Sequence, residues 1–303
     1  MKITASTALL DRLANEDRLA FADWRGLVLL RRATREIPAE GRRWSRLPNC
    51  AADLSPLLRQ MRGRGEVDPF TKLPGVYKVT VPYAKLGFVD EHEILFEANP
   101  YAVLSHFTAL VFHGMTEEFP KRLFATIPSE VDNAHLPIGT TRVDWDGLDR
   151  PFSRKPATVL DQPVTWSRIQ ALHFFGYDEH RPYRYPIRVT NRERTLIDAL
   201  QAPGLCGGVG NVLKAWVLSR DEINLDVLVD LVNRLDIGVL RQRVGFILES
   251  LQLTHPALDV WRARAHRGGS SRLVGSRPFA SSFDERWNLS LNASVDVLRT
   301  EAA

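Results

Sequence analysis

The sequence predicts an α+β protein made of a helical N-terminal segment with a hairpin and a larger mixed body. Three observations lead to this class. Residues 6–14, 17–34 and 53–62 carry apolar side chains at helical spacing. Residues 66–81 combine two turns with alternating side chains, which is typical of a β-hairpin. Beyond residue 82, helical and strand-like segments are interspersed, as in an α+β body.

The composition is ordinary for a globular chain of 303 residues, with 44% hydrophobic and 25% charged side chains. The length suggests about two domains. No apolar run approaches the roughly 18 residues of a membrane span, and the N-terminus turns polar too early for a secretory signal. The only cysteines, Cys50 and Cys206, are far apart, which indicates free thiols in a reducing compartment. We therefore expect a cytoplasmic protein with no membrane partner.

Positive charge is concentrated in the N-terminal segment. Residues 1–82 hold 15 Lys and Arg against 9 Asp and Glu, whereas the remainder holds 25 against 27. Between Arg25 and Arg64 there are ten arginines and three acidic residues. A basic segment joined to a near-neutral body is the expected footprint of a nucleic-acid-binding module. A solvated basic face without any partner is the alternative interpretation.

The predicted helix at 53–62 has two distinct faces. Pro56 lies in its first turn, where the missing N–H costs nothing. Its apolar face is formed by Leu57, Leu58 and Met61. Arg59 and Arg62 lie on the opposite face, so this helix offers two cations to a partner.

Three helices followed by a hairpin is the element order of a winged helix. In that fold the third helix enters the major groove and the hairpin, or wing, follows a phosphate backbone. We therefore predict a winged-helix DNA-binding domain over residues 1–82, with Arg59 and Arg62 facing DNA. The cations expected at phosphates are Arg64, Lys72 and Lys78, and further backbone contacts are expected from Arg42, Arg43 and Arg46. Winged helices also serve as protein-interaction modules, which is a second interpretation.

The second predicted domain, 83–303, is an α+β body that ends in an irregular segment from about residue 265. A helix is predicted to start at Asn99, with Pro100 in its first turn and Gly114 after its last. Strands are predicted at 121–128, 163–176 and 182–190, and further helices at 191–201, 209–219, 224–234 and 238–251. The aromatic anchors of the final segment are Phe279, Phe283 and Trp287.

Two histidines of the body, His106 and His113, lie seven residues apart on one predicted helix face. Metal-binding pairs on a helix usually stand four residues apart, and no cysteine or acid completes a set here. We expect core or capping histidines, since His113 precedes Gly114 and suits a helix C-terminus. No metal and no cofactor are predicted.

Residues 188–211 combine a helix start with a glycine-rich loop. Thr190 and Glu193 have the spacing of a capping box, and Arg194 and Asp198 are predicted to pair on the exposed side of the helix. The core face is predicted to hold Leu196, Ile197 and Leu200. The loop GLCGGVGN lacks the Gly-Lys-Ser/Thr ending of a phosphate loop and the third glycine of a dinucleotide fingerprint, so we expect a structural turn.

Five segments occur in an order that resembles the AbiEi-type abortive-infection antitoxins. They are LPGVYKV (73–79), LSHFTALVFHGMTE (104–117), ERTLIDAL (193–200), RQRVGFILESL (241–251) and R-W-N-L-x-x-N (286–292). The resemblance covers most of the chain. The positions of the body that match the family motif are His113, Glu193, Arg194, Thr195 and Asp198.

The resemblance implies a cytoplasmic transcriptional repressor of its own type IV toxin–antitoxin operon. Such proteins bind double-stranded DNA at promoter repeats through the winged helix. Their second domain counters a nucleotidyltransferase-like toxin, with or without direct contact, and has no catalytic residues of its own.

An enzyme is the alternative, with the C-terminal domain modifying the toxin or nucleic acid by phosphoryl transfer. None of the seven lysines follows an acid by two residues, as a PD-(D/E)xK nuclease requires. The motifs H-E-x-x-H, C-x-x-C and G-x-S-x-G are also absent. A third hypothesis is a pure interaction protein whose winged helix contacts protein.

Overall fold

The computed structural model describes residues 2–85, 87–131, 135–182, 184–265 and 270–300. Its mixture of helices and strands is consistent with the predicted α+β class. Contacts divide the chain into two units. Unit 1 comprises Met1–Ala102, Ile127–Trp166 and Glu179–Arg188, and unit 2 comprises Val103–Thr126, Ser167–Asp178 and Val189–Ala303. The predicted domain boundary after residue 82 stays a prediction, and the contacts group residues 83–102 with the segment before them.

Unit 1 begins with helices around a small sheet. Its helices are α1 (Ala5–Asn15), α2 (Asp23–Glu36), α3 (Ser55–Gly63) and α4 (Glu91–Ala98), and its first strands are β1 (Ala20–Ala22), β2 (Val67–Pro69) and β3 (Val76–Val79). The strand order is β1-β3-β2. Both pairs are antiparallel, with Ala22 opposite Val76 and Val67 opposite Val79. The helices predicted at 6–14 and 53–62 are therefore present as α1 and α3.

The helix predicted at 17–34 is wrong in its first part. Asp17 adopts a left-handed backbone with φ of 52°, so residues 17–19 do not form the predicted helical turn. Ala20–Ala22 then forms β1 against β3, and the helix begins only at Asp23. Helical periodicity in this segment could not show the pairing, because the partner strand lies far along the chain.

The free edge of β1 is closed by two carboxylates of α4. Glu93 Oε1 accepts hydrogen bonds from the backbone N–H of Leu19 and Ala20 at 3.0 and 3.2 Å. Glu97 Oε2 accepts one from Ala22 N at 2.8 Å. Edge strands otherwise present unpaired donors. These bonds explain why α4, beyond residue 82, belongs to unit 1.

A six-stranded sheet has the order β6-β7-β5-β4-β9-β8. Its strands are β4 (Val103–Leu104), β5 (Leu123–Pro128), β6 (Thr158–Val159), β7 (Gln162–Ile169), β8 (Tyr177–His180) and β9 (Ile187–Thr190). Strand β4 pairs antiparallel with β5, with Leu104 opposite Ala125, and parallel with β9, with Leu104 opposite Val189. Strands β6 and β7 form an antiparallel hairpin.

The predicted strands are present in shortened form. The segment 121–128 is confirmed as β5, whereas 163–176 is extended only as far as Ile169 and 182–190 only from Ile187. Tyr183, within the last of these segments, lies outside the described residues.

The helix predicted from Asn99 starts later than expected. Asn99 instead ends α4, and the next helix, α5, spans His106–Phe112 with Ser105 at its N-cap. The intervening Val103–Leu104 is drawn into the sheet as β4, which overrides the local helix signal. Gly114 does follow the last turn, and its φ of +68° suits glycine.

Four helices of unit 2 follow the prediction closely. They are α6 (Arg192–Gln201), α7 (Val209–Leu218), α8 (Leu225–Leu235) and α9 (Gly238–Ser250). A further helix, α10 (Ala257–Ala265), was not predicted. The predicted core positions Leu196, Ile197 and Leu200 are buried. None of the described helices is long and apolar enough to cross a membrane.

The C-terminal segment is more ordered than predicted. It contains β10 (Ser271–Arg272), β11 (Phe283–Asp284), β12 (Leu289–Ser290) and α11 (Val297–Thr300), with residues 266–269 and 301–303 outside the description. Of the three expected aromatic anchors, only Trp287 is buried. Phe279 and Phe283 are exposed. Trp287 packs into the core of unit 2 together with Leu289 and Leu291, and its indole N–H donates to Glu249 Oε2 at 2.8 Å.

Candidate nucleic-acid interface

Helix α3 has the two faces that its sequence predicts. Leu58 and Met61 are buried in the core of unit 1. Arg59 and Arg62 are exposed, and neither forms an ion pair with a carboxylate among the residues that the structure describes. Pro56 lies in the first turn, as expected. The helix therefore holds two cations in solvent on a rigid support.

The hairpin β2–β3 is a short, braced turn. Gly75 adopts a φ of +80°, and a Cβ there would lie 2.8 Å from Asp23 Oδ2, so glycine is required. Leu73 is buried beneath the turn, while Lys78 on β3 is exposed. The ring of Tyr77 stacks on Phe21 with centroids 5.6 Å apart, and its burial raises the pKa of Tyr77.

Two of the predicted phosphate ligands already have partners in unit 1. Lys72 Nζ lies 3.0 Å from Asp161 Oδ1 in an exposed ion pair. Arg64 lies 3.7 Å from Glu66 Oε1 and donates to Ser6 Oγ at 3.4 Å. Exposed pairs of this kind are weak, so both cations can exchange these partners for phosphate at little cost.

The GRRWSR segment divides its arginines between structure and solvent. Arg42 folds back on its own loop and donates to the carbonyls of Trp44 and Ser45 at 2.6 and 3.1 Å. To contact DNA as predicted, Arg42 would have to give up these hydrogen bonds to its own loop. Arg43 and Arg46 are exposed, and Arg46 donates to Asn49 Oδ1 at 3.3 Å.

Several arginines counted as basic charge are structural. Arg25 is only 1% exposed, and its Nε donates to Glu97 Oε1 at 2.5 Å. Burial lowers the pKa of Arg25. Buried Arg31 donates to the carbonyl of Pro48 at 2.6 Å and to that of Asp146 at 2.7 Å. The sequence therefore overstates the charge that unit 1 presents to solvent.

Arg32 is also a structural cation. Its Nε and Nη2 donate to the two oxygens of Asp144 at 2.8 and 2.7 Å. This paired geometry raises the pKa of Arg32 and lowers that of Asp144. The hydrogen-bonding carboxylate follows its arginine by more than a hundred residues, so no local pattern could identify it.

The family-matched positions of the body gather around the start of α6 in unit 2. Arg194 and Asp198 are paired at 2.7 Å, but their side chains are only 5% and 10% exposed, so the predicted exposed location is wrong. Arg194 also donates to the carbonyls of His173 and Phe175, both at 3.0 Å. The segment that carries His173 and Phe175 packs against this face of α6 and buries most of the pair, which periodicity alone could not indicate.

The predicted capping box is also wrong. Asn191 is the N-cap, with its Oδ1 accepting from Arg194 N at 2.9 Å. The side chain of Glu193 is buried instead, and its Oε1 accepts from Asn224 N at 2.9 Å. The hydroxyls of Thr190 and Thr195 lie 2.7 Å apart. Because strand β9 continues through Thr190, the cap falls one residue later than the spacing suggests.

His113 ties this cluster to α5, since its Nε2 lies 2.7 Å from Thr190 O. Its predicted place at the helix C-terminus is thus observed. His106 is buried, with Nδ1 2.9 Å from Ser105 Oγ, and burial lowers its pKa. No group of three His, Cys, Asp or Glu residues within the described ranges could hold a metal ion.

The glycine loop is a structural turn. Gly207 and Gly208 have φ of +78° and +93°, and a Cβ on Gly207 would lie 2.9 Å from Asn211 Nδ2. Asn211 donates to Cys206 O at 2.9 Å and accepts from Thr116 Oγ1 at 2.8 Å. The loop's glycines therefore permit close packing around Asn211, which lies in the first turn of α7.

Comparisons with known proteins show a shared fold and nothing finer. No protein-family model matches the sequence, and no curated protein matches it. The chain is similar to a solved structure described as the crystal structure of RV2827C protein from Mycobacterium tuberculosis. The similarity has a TM-score of 0.53 and 15% sequence identity, and it covers 97% of this chain and 93% of that one. At this identity, the similarity establishes a common fold alone.

Proposed function

We propose that the protein is a DNA-binding transcriptional repressor and the antitoxin of a type IV toxin–antitoxin operon. The observation that carries the proposal is the exposed arginine face of α3, which presents Arg59 and Arg62 beside a β-hairpin. The element order α1-β1-α2-α3-β2-β3, with a β1-β3-β2 sheet, supports reading this region as a winged helix. In that fold the third helix occupies the major groove.

The surface charge favours a duplex partner over a protein partner. In addition to Arg59 and Arg62, the exposed cations of this region include Arg43, Arg46 and Lys78. Phosphate contacts supply most of the affinity of such a surface, and contacts of α3 with base edges would supply the sequence preference. The expected DNA is the repeat array of the protein's own promoter.

The antitoxin role rests on the order of motifs that resemble the AbiEi-type family. The matched residues of α6 form a buried polar cluster, which supports a scaffold and gives no exposed catalytic group. The partner is a nucleotidyltransferase-like toxin, countered in the cytoplasm with or without direct contact. Incubation with labelled nucleotide and the toxin tests the enzyme alternative, since transfer of label to the toxin would favour catalysis.

The decisive experiment is fluorescence-anisotropy titration of the full chain with its own upstream DNA and with a scrambled duplex. We expect preference for the upstream DNA and a steep salt dependence. A variant with Arg59→Ala and Arg62→Ala should bind at least about tenfold more weakly, because each arginine that contacts a base edge contributes substantially to discrimination.

The matched control carries Arg264→Ala and Arg277→Ala, which remove two exposed arginines from unit 2. This variant should bind like the unmodified protein. Equal, weak binding of both duplexes by the unmodified protein would refute the repressor proposal. Equal effects of the two variants would show that only total charge matters.

A further inference from the structure

Unit 1 contains a cavity that the proposed DNA contacts do not use. Its volume is about 740 Å³, and its lining includes Tyr101, Val131, Arg142, Trp145 and the stretch 148–153. A second cavity of about 220 Å³ has walls in common with it. The shared residues are Trp145, Asp149, Arg150, Pro151 and Phe152. Together the two cavities form one groove, called here the Phe152 groove.

The aromatic ring of Phe152 is displayed to solvent on a fixed backbone. Phe152 is 90% exposed. Just before it, Tyr101 Oη donates to Pro151 O at 3.0 Å, and just after it, Asn99 Nδ2 donates to Ser153 Oγ at 2.9 Å and to Arg154 O at 2.7 Å. Both Asn99 and Tyr101 are buried. The backbone that carries the ring is therefore held in place before any ligand arrives, which lowers the entropic cost of binding.

Two tryptophans line the groove behind Phe152. Trp145 and Trp24 are buried, with ring centroids 6.3 Å apart. Trp145 Nε1 donates to Thr140 Oγ1 at 2.8 Å, and Trp24 Nε1 donates to Glu97 O at 2.9 Å. The polar edges of both rings are thus satisfied, and the groove gains a rigid apolar wall.

Charged side chains surround this wall with a positive excess. Arg142 is exposed, and Arg150 is oriented by a hydrogen bond to His135 O at 3.1 Å. Arg154 lines the smaller cavity, where it lies 3.9 Å from Asp23. The carboxylate of Glu97 is occupied by buried arginines. Asp149 borders both cavities and Asp23 lines the smaller one, so the groove combines three guanidinium groups with two accessible carboxylates.

We propose that the Phe152 groove binds a free nucleoside phosphate. The base stacks on Phe152, since nucleobases and aromatic side chains attract through their faces. Arg142 and Arg150 contact the phosphates, because guanidinium groups match phosphate oxygens in charge and geometry. Asp149 accepts from ribose hydroxyls or base N–H groups. A volume of about 740 Å³ is in the usual range for a small-molecule site.

This proposal is independent of the proposed DNA-binding function. The test titrates the full chain separately with ATP, GTP, CTP and UTP, followed by calorimetry and by tryptophan fluorescence. We expect saturable one-to-one binding of at least one of them, with a fluorescence change from Trp145. Phe152→Ala should weaken that binding about tenfold, as expected for loss of one stacked base.

The matched control is Phe88→Ala, because Phe88 is 91% exposed in the same unit and does not line the groove. It should leave the affinity unchanged. Arg142→Ala should weaken binding of the triphosphate while leaving binding of the unphosphorylated nucleoside unaltered. The variant with Arg59→Ala and Arg62→Ala should bind nucleotide normally, which separates this site from the DNA-binding face.

Three results would overturn the proposal. The first is no saturable binding of any nucleoside triphosphate at millimolar concentration. The second is equal affinity of the Phe152→Ala variant and the unmodified protein. The third is binding of inorganic phosphate as tight as that of the nucleotide, or binding of single-stranded oligonucleotide alone, since either would identify a different ligand.

Discussion

Helices α2 and α3 are both rich in arginine, yet they use it in opposite ways. On α2, Arg25 and Arg31 are buried and bind a carboxylate or backbone carbonyls. On α3, Arg59 and Arg62 are exposed and have no carboxylate partner among the described residues. A count of positive charge treats the four residues alike. The comparison teaches that an arginine adds to the surface charge only where the fold does not bury it against a carboxylate or backbone carbonyls.

The largest expected effect comes from removing a buried arginine of α2. Arg25→Ala should destabilise the protein by about 3–5 kcal/mol, because Glu97 loses one of its two buried cations and its charge is no longer fully compensated. Chemical denaturation followed by circular dichroism measures the free energy of unfolding. Arg59→Ala, the matched exposed substitution, should change stability by less than about 0.5 kcal/mol. Similar losses in both variants would contradict the division between α2 and α3.

The α4 carboxylates that hold β1 should make stability depend on pH. Burial raises the pKa of Glu93 from 4.5 to about 7, since desolvation outweighs the hydrogen bonds from Ala20 and Leu19 and the attraction of Arg18. The folded state thus holds the proton more tightly than the unfolded state. This contribution, of the order of 3 kcal/mol, is full below about pH 4.5 and is lost as pH rises through about 7.

Glu93→Gln tests this dependence, because its amide oxygen can still accept both backbone bonds while carrying no titrating charge. Unfolding free energies measured between pH 4.5 and 8 should fall less steeply for this variant than for the unmodified protein. Glu91→Gln, in the first turn of α4 and only partly buried, is a suitable control. Parallel pH profiles for Glu93→Gln and the unmodified protein would show that Glu93 does not titrate in this range.

Single substitutions of exposed arginines test what each of them contributes to DNA affinity. Arg59→Ala should weaken binding to the upstream DNA about tenfold and reduce its preference over scrambled duplex, as loss of a base contact does. Arg43→Ala should weaken binding to both duplexes alike. It should also make the slope of log affinity against log salt concentration less steep by about one, as expected for the loss of one phosphate contact. Titrations at two salt concentrations separate these outcomes. Identical profiles for the two variants would mean that α3 does not read bases.

The smallest expected effect concerns the tip of the hairpin. Asp161→Asn removes the carboxylate that lies 3.0 Å from Lys72 Nζ, and should raise DNA affinity about two- to threefold by freeing that cation and removing a repulsive charge. Anisotropy at low salt gives the best sensitivity. In a Lys72→Ala background the gain should shrink, whereas a full gain there would assign the effect to charge repulsion alone.

Much of the fold could be predicted where apolar spacing and capping residues agree. Helices α3 and α6 to α9 begin and end close to their predicted limits, and Leu196, Ile197 and Leu200 face the core as expected. The candidate interface was partly predictable too, because Arg59 and Arg62 lie opposite Leu58 and Met61 on one short helix. These features depend on residues a few positions apart, which local periodicity reports directly.

Other features depend on partners that are distant in the sequence. Strand β1 exists because β3 and the carboxylates of Glu93 and Glu97 take up its backbone groups. The start of α5 was missed because β4 joins the sheet. The Phe152 groove was missed as well, since Phe152, Tyr101 and Trp145 carry no shared motif.

By itself, the sequence determined the helical faces, the exposed cations of α3 and the mixed α+β class. Only the tertiary structure decided that Arg25 and Arg31 are structural, that the Arg194–Asp198 pair is buried, and that β1 is a strand. The physical reason is desolvation: a charged or polar group tolerates burial only when a partner is placed within hydrogen-bond distance. That placement is made by chain segments far apart in sequence, so it exists only in the folded protein.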